Sequence, residues 1–256
     1  MIWAAVLIGG LFLGMLILLE LGRRIGLYNF KKDPEGSQKG VSTVEGAVFG
    51  LLGLFIAFTF YGAVNRWDNR RSLITEEVND IGTAFLRIDL LPADKQSEMK
   101  GLFRRYIDTR IDTYKYGDNK SLVQTNIDLS MKLQNNIWAL AITASRSPVA
   151  SADAGKLLLP ALNAMFDITT TRVVATQTHP PIIVFYLLYL MSLMSALLAG
   201  YGMSGSKTRN FLHMAVFVAI ISITVYVILD IEYPRSGIFR LNKVDQHLVD
   251  LRKSMG

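Results

Sequence analysis

The chain has 256 residues, of which 51% are hydrophobic and none is cysteine, and its formal net charge is +6 at pH 7. The lack of cysteine excludes disulfides, cysteine-ligated metal centres and thiol catalysis. Its mean hydropathy is +0.31, and the apolar residues are concentrated in a few blocks, as is typical of an integral membrane protein. The basic residues alternate with acidic ones and border the apolar blocks, so we interpret them as anchors of helix ends and predict no nucleic-acid partner.

Four apolar blocks are long enough to cross a bilayer as helices. A hydrocarbon core of about 30 Å needs about 20 residues at about 1.5 Å per residue. The first block could instead be a cleaved signal peptide, but it has no basic start and no small-residue cleavage site after it. We therefore predict a lipid bilayer as partner and four transmembrane helices, within residues 2–21, 45–64, 181–200 and 211–229.

Small residues stand one turn apart in the second block, where Gly46 precedes Gly50 and Gly53 precedes Ala57. Such spacing lets membrane helices approach closely, and simple packing within a bundle would explain it. Glu45, at the start of this block, has two interpretations. It is either an interfacial anchor or one member of an acidic ring at a pore mouth, which would concentrate cations.

Large apolar side chains lie beside these small residues. Leu54 and Phe58 are one turn apart, and Leu51 is next to them. If several copies packed around an axis through their small residues, these side chains would form a hydrophobic constriction that gates by dewetting. The pattern therefore allows either a packed bundle or a pore neck.

The second block continues without a helix-breaking residue into an amphipathic segment that ends at Pro92. Three more helices are predicted at residues 93–116, 121–145 and 153–177, and Pro160 should kink the last or mark its true start. No strand alternation occurs, so the predicted class is all-α. The predicted segments are a first pair of membrane helices at 1–64, a helical extramembrane domain at 65–179, a second pair at 180–230, and a C-terminal tail at 231–256 that packs on the helical domain.

The amphipathic segment carries a ladder of charges at helical spacing. Arg66, Arg70 and Glu77 lie near one stripe, and Asp80 and Arg87 lie along another. Charges at these intervals satisfy one another on a solvated helix, and in a pore-lining helix they would form the wall of a vestibule. Spacing alone leaves both interpretations open.

Several function classes lack their usual residues. No ionisable side chain falls in the middle of a predicted span, which argues against a proton-coupled transporter or a voltage sensor. The three histidines are isolated in sequence, and no phosphate-binding glycine loop or nucleophile elbow occurs. We therefore predict that the protein is not an enzyme and holds no cofactor or metal.

Three segments of the sequence carry distinctive combinations of residues. The first has Phe58 followed by Arg66, Trp67 and an "R…VND" run that includes Asn79 and Asp80. The second is "FDITTTRVVATQTHPP", before the third predicted span, and the third follows the fourth span and contains Asp230, Glu232, Pro234 and Gly237. In this order the three segments resemble the bestrophin family, in which the second is similar to the charged helix before the third span and the third is similar to the exit from the fourth span.

The resemblance implies a homopentameric channel for small ions in the bacterial inner membrane, with termini and helical domain in the cytoplasm. Basic residues in the connecting segments, including a loop predicted from Gly22 to Ser42, number seven on each side and leave orientation undecided. The resemblance places Leu54 and Phe58 in the neck. Gly50 stands where the family has a larger apolar residue, and Asp68 replaces a second tryptophan. No acidic run follows the fourth span, so no calcium gating is expected.

Because of these two departures, a non-conducting membrane scaffold or signalling subunit is the alternative function. In that case the helical domain would bind a protein partner. A ring of five subunits would favour the channel, and a stable monomer or dimer would favour the alternative.

Overall fold

The computed structural model describes residues 2–33, 40–115, 119–205, 211–233, 237–238 and 242–256. Most of these residues are helical and none is in a strand, which confirms the all-α class. Two short 3₁₀ turns occur, at Arg87–Leu90 and Met203–Gly205. The α-helices are α1 (Ile2–Lys32), α2 (Val41–Leu86), α3 (Ala93–Lys115), α4 (Lys120–Ser145), α5 (Ala154–Gln177), α6 (Ile182–Gly202), α7 (Phe211–Glu232) and α8 (Asn242–Ser254).

The chain divides into two compact units. The membrane unit is formed by Met1–Asn65 and His179–Tyr233, and the helical unit by Arg66–Thr178 and Pro234–Gly256. Four stretches, in α1, α2, α6 and α7, are long and apolar enough to cross a membrane, which confirms the predicted number of spans. Helix α2 is continuous from the membrane unit into the helical unit.

Helix α1 is longer than predicted, because it continues through the expected loop after Gly22 as far as Lys32. In this part it crosses α6 at very short range. A methyl group at Gly22 would overlap the carbonyl oxygen of Leu197, and one at Gly200 would overlap that of Leu19. These glycines therefore let the two helices pack with their backbones in contact. The prediction of a loop was wrong for residues 22–32, which are helical.

The helical unit has a continuous apolar core. The second half of α2 supplies the stripe that the sequence predicted, and α3, α4, α5 and α8 close over it. Pro160 lies inside α5 and does not mark its start. The Asn119 side chain caps α4 by accepting a hydrogen bond from the Leu122 N–H at 3.2 Å. Core residues include Ile81, Ile88, Met99, Phe103, Tyr106, Ile137, Leu158, Leu162 and Leu248.

Candidate functional site

The membrane part of α2 has one packed side and one bare side. On the packed side Leu52 is buried, and Phe49 contacts Phe217 of α7 with ring centroids 6.1 Å apart. On the bare side Leu54 is 52% exposed and Phe58 is 66% exposed. The sequence placed these two residues in a constriction, and within one chain they contact little.

The small residues of α2 lie on the open part of the same helix. No described atom comes within 4 Å of a Cβ built at Gly46, Gly50 or Gly53. Leu51 is also exposed. This absence of neighbours contrasts with the close crossing of α1 and α6, where glycine is required for contact inside the chain. The open face of α2 can therefore accept a closely packed neighbour.

Polar groups on the membrane part of α2 are few, and one of them bonds to the helix itself. The Thr59 hydroxyl donates to the Phe55 carbonyl oxygen at 2.8 Å, so it presents no free donor to the bare side. Glu45, near the start of α2, lies against Gly202, where its carboxylate oxygens fill the space that a Cβ atom would take. Its Oε1 atom is buried and has no hydrogen-bond partner among the described residues.

Arg66 and Trp67 begin the part of α2 that belongs to the helical unit. Both are half-buried. The Trp67 Nε1 atom is buried without a hydrogen-bond partner among the described residues, and the Arg71 guanidinium lies 6.0 Å from the centre of its ring. Arg70 is buried and donates to the carbonyl oxygens of Ala175 at 3.0 Å and Thr178 at 2.9 Å. It thus caps the carboxyl end of α5, where a cation is favourable.

Glu77 lies at the centre of a buried ion network that joins α2, α3, α5 and α8. Its carboxylate is fully buried and accepts from the Arg110 Nε atom at 2.6 Å and from the Arg172 Nη1 atom. The Arg172 Nη2 atom is 3.5 Å from Asp245 of α8. The Tyr114 ring lies under both guanidinium groups, 3.8 Å from that of Arg172 and 5.1 Å from that of Arg110.

The arginines control the ionisation of this carboxylate. Burial by itself raises the pKa of Glu77, but the charges and hydrogen bonds of Arg110 and Arg172 outweigh it and hold the pKa below the ordinary value of 4.5. Glu77 is therefore a charged group inside the helical unit, and its two arginines neutralise it there. Asp80, one turn further along, is half-buried, and burial together with Glu76 and Glu77 raises its pKa.

The remaining predicted residues of this segment face outward or bond to the backbone. Asn79 is exposed on the side of α2 opposite the core. Arg87 donates from its Nη1 atom to the Leu157 carbonyl oxygen at 2.6 Å. The seven residues predicted to line a vestibule or an interface thus separate into buried supports, mainly Arg70 and Glu77, and a more accessible group that includes Asn79.

The end of α7 carries two buried acids. Asp230 accepts from the Tyr226 hydroxyl at 3.0 Å, and the Glu232 Oε1 atom is 2.8 Å from the His179 Nδ1 atom. The His179 ring stacks on Tyr233 with centroids 4.7 Å apart. Gly237 is among the described residues, whereas Pro234 lies outside them. No group of three or more His, Asp or Glu side chains within the described ranges could hold a metal ion.

Sequence reasoning missed most partners of Glu77. Arg110, Tyr114 and Asp245 were not singled out. The available signal was that Arg110 shares the apolar stripe of α3 with Tyr106 and Tyr114, and a charge on such a stripe needs a buried partner. The α1–α6 crossing was missed for a different reason, because the residues that follow Gly22 were assigned to a connecting loop.

Four apolar spans, a second membrane helix that continues into a helical unit, and a buried ion network in that unit define a multi-pass, all-α membrane protein. A family model described as Bestrophin-like domain matches residues 28–245, and the chain belongs to this family. The resemblance seen in the sequence is thereby confirmed.

A solved structure has the same fold. The crystal structure of a bacterial bestrophin homolog from Klebsiella pneumoniae, which carries a point mutation, matches with a TM-score of 0.61. The match covers 94% of this chain and 98% of that chain at 14% sequence identity, so it shows the shared fold. No curated protein matches the sequence.

Proposed function

We propose that the protein is a homopentameric channel of the bacterial inner membrane that conducts small ions along α2. Membership of the Bestrophin-like domain family, in which ion channels are known, supports this class. The observation that carries the proposal is the bare stripe of α2, on which Leu54 and Phe58 are exposed in a single chain. The neck is formed by these two residues, with Leu51 beside them and Gly50 at its wider end.

The open glycines explain how copies would come together around such a neck. Gly46, Gly50 and Gly53 have no described neighbour within 4 Å of an added Cβ, so another helix can approach their backbone. The same helix would then present its large apolar residues to the central axis. A ring of such side chains opposes ions because a narrow apolar passage loses its water.

The two ends of the neck have different chemistry. Glu45 precedes it and is proposed to contribute one carboxylate per subunit to a pore mouth. The helical unit follows it and is proposed to lie in the cytoplasm, where Asn79 and Asp80 line a vestibule or a subunit interface. Glu77 and Arg70 are too buried to line a passage and instead hold the surrounding helices in place.

The decisive experiment measures current from the purified full chain in planar bilayers. Phe58→Ala is expected to increase conductance by about tenfold, because lowering a dewetting barrier by about 1.4 kcal/mol raises the rate by that factor. Phe60→Ala is the matched control, since Phe60 is on the same helix at a different angle and is also exposed. It is expected to leave conductance within about twofold of wild type.

One result would reject the channel, and another would reject the assignment of its neck. One is the absence of current from the wild type and from a variant with both Leu54 and Phe58 replaced by alanine. The other is equal conductance of the Phe58→Ala and Phe60→Ala variants, which would remove Phe58 from the neck. The mass of the detergent-solubilised protein is a separate test of the ring, with five copies expected.

A non-conducting scaffold or signalling subunit is the second candidate. The observation in its favour is apolar surface on the helical unit, where Leu86 is 73% exposed and Val149 is 78% exposed. Such side chains fit a protein partner as well as another copy of the chain. A stable monomer or dimer without current would support this function.

A further inference from the structure

A groove lies between α1 and α7 in the membrane unit. Its volume is about 410 Å³, within the range of about 300–1,000 Å³ that is usual for small-molecule sites. No polar atom of the described residues contributes accessible surface to its wall. The lining side chains that define it are Ile8, Phe12, Leu13, Ala219, Ile223 and Tyr226.

The depth of the groove follows from its position on α7. Residues 219–226 are in the central part of a helix that runs from Phe211 to Glu232. They extend over about 10 Å along the helix axis, at about 1.5 Å per residue. The groove therefore lies at the level of hydrocarbon chains, below the lipid headgroups.

Water is a poor occupant of this groove, because a buried water needs about two to four polar partners. The Tyr226 hydroxyl already donates to Asp230, and the Ser222 hydroxyl, although buried without a partner among the described residues, adds no accessible surface to the wall. An empty groove would also forfeit van der Waals contacts along both helices. A hydrocarbon chain needs no polar partner, and it restores the van der Waals contacts along both helices.

The surroundings of the groove indicate where that chain comes from. Val6 and Ile17 on α1 and Val216 and Ile220 on α7 are exposed apolar residues outside the lining. Because both helices are long and apolar enough to span a membrane, this flanking surface lies at the depth of lipid tails. The groove is continuous with it, and Gly9 gives it depth, since no described atom lies within 4 Å of a Cβ built there.

We infer that the groove between α1 and α7 is a binding site for one acyl chain of a membrane phospholipid. The chain packs between Phe12 and Ile223 over Gly9 and completes the membrane unit. Lipid tails are as apolar as the groove, so the preference arises from packing and is modest. This site is separate from the proposed neck and does not depend on conduction.

The test uses the full chain in phosphatidylethanolamine and phosphatidylglycerol vesicles with a trace of phospholipid that carries a diazirine in the middle of an acyl chain. After illumination, adducts are mapped by peptide mass spectrometry. The number of adducts per residue at Ile223 is expected to exceed that at Ile220 by about threefold, which corresponds to a modest packing preference. Both are exposed isoleucines of α7, about 4.5 Å apart in depth.

A matched pair of variants tests the site itself. Ala219→Leu fills the groove and is expected to remove the excess at Ile223. Ala215→Leu makes the same change one turn away, outside the lining, and is expected to preserve it. If Ala219→Leu does not fold, Gly9→Ala adds a methyl group to the groove without a clash and is expected to reduce the excess.

Two outcomes would overturn the inference. Equal adduct numbers at Ile223 and Ile220 would show ordinary lipid contact without a site. An unlabelled groove, together with disulfide-linked dimers of an Ile223→Cys variant in this cysteine-free chain, would show that a second copy occupies it.

Discussion

The helical unit and the membrane unit differ in which side chains they bury. The helical unit buries large apolar residues such as Phe103 and Tyr106, and it even encloses charges, because Glu77 and Arg110 are 0% exposed. The membrane unit leaves Leu54 and Phe58 bare. The helical unit completes its core within one chain, whereas the membrane unit leaves a stripe of α2 for lipid or for another copy.

Glycine shows the same difference. Gly22 and Gly200 are in contact with the backbone of another helix, and a methyl group at either position would overlap a carbonyl oxygen. Gly46 and Gly50 have no described neighbour within 4 Å of an added Cβ. The first pair of glycines makes a helix contact inside the chain, and the second pair makes none with a described residue. The glycines without a described neighbour, Gly46 and Gly50, therefore mark the surface where contact with another copy of the chain is expected.

The largest expected effect is on the buried network of the helical unit. Glu77→Gln leaves the buried guanidinium group of Arg110 without a compensating charge and that of Arg172 with Asp245 alone, which lowers the free energy of unfolding by about 3–5 kcal/mol. The apparent midpoint of thermal unfolding in detergent, followed by circular dichroism, should fall on the order of 10 °C. This variant tests whether the helical unit depends on its internal charges.

Glu76→Gln is the control, because Glu76 is the neighbouring residue and is exposed. It removes the same charge and is expected to change the free energy of unfolding by no more than about 0.5 kcal/mol. Equal midpoints for the two variants would mean that the Glu77 network does not stabilise the helical unit, and the contrast between the units would lose its main support.

A smaller effect is expected when glycine is replaced by alanine, and its sign should differ between Gly200 and Gly46. Gly200→Ala forces α1 and α6 apart and should destabilise the membrane unit by about 1–3 kcal/mol. Gly46→Ala meets no described atom within 4 Å and should raise the helix stability of the single chain by about 0.5–1 kcal/mol. Thermal unfolding in detergent measures both.

The Gly46→Ala variant also tests the assembly. If this face packs against another copy, the added methyl group should shift the protein toward smaller species in native mass spectrometry, while Gly200→Ala lowers the unfolding midpoint. Unchanged assembly of Gly46→Ala would exclude Gly46 from the subunit contact. Equal unfolding midpoints of the two variants would mean that the α1–α6 crossing is not as close as described.

The helices of the fold were largely predictable because their signals are periodic. The amphipathic segment that ends at Pro92 was predicted from spacing, and its apolar residues Ile81 and Ile88 are buried in the core of the helical unit. The bounds of α3 and α4 were close to those predicted. The extension of α1 to Lys32 was not, since a glycine in a polar-looking segment indicates a turn unless the helix it contacts is known.

The candidate site was predictable only in part. The α2 residues of the proposed neck were found because they share one helix, where spacing gives direction. The network of Glu77 joins residues from four helices, and Glu77 and Arg172 are 95 positions apart in sequence. No local pattern encodes such a contact. Spacing in the sequence predicts on which face of its helix a side chain lies, but the tertiary structure determines which residue it contacts.

The last and smallest effect concerns pH and separates the network from ordinary surface charge. Because the pKa of Glu77 lies below its ordinary value of 4.5, the folded state binds this proton less readily than the unfolded state. Its contribution is therefore present in full above about pH 4.5 and is lost as the pH falls through the folded pKa.

The free-energy difference between wild type and Glu77→Gln should stay constant from pH 7 to about pH 5 and then shrink by up to about 1.4 kcal/mol per pH unit. Denaturant unfolding in detergent at a series of pH values measures it, with Glu76→Gln as the comparison for loss of an exposed carboxylate. A difference that grew as the medium became more acidic would contradict a lowered pKa. It would mean that burial, rather than the two arginines, governs this carboxylate, and that the helical unit does not neutralise its own internal charge.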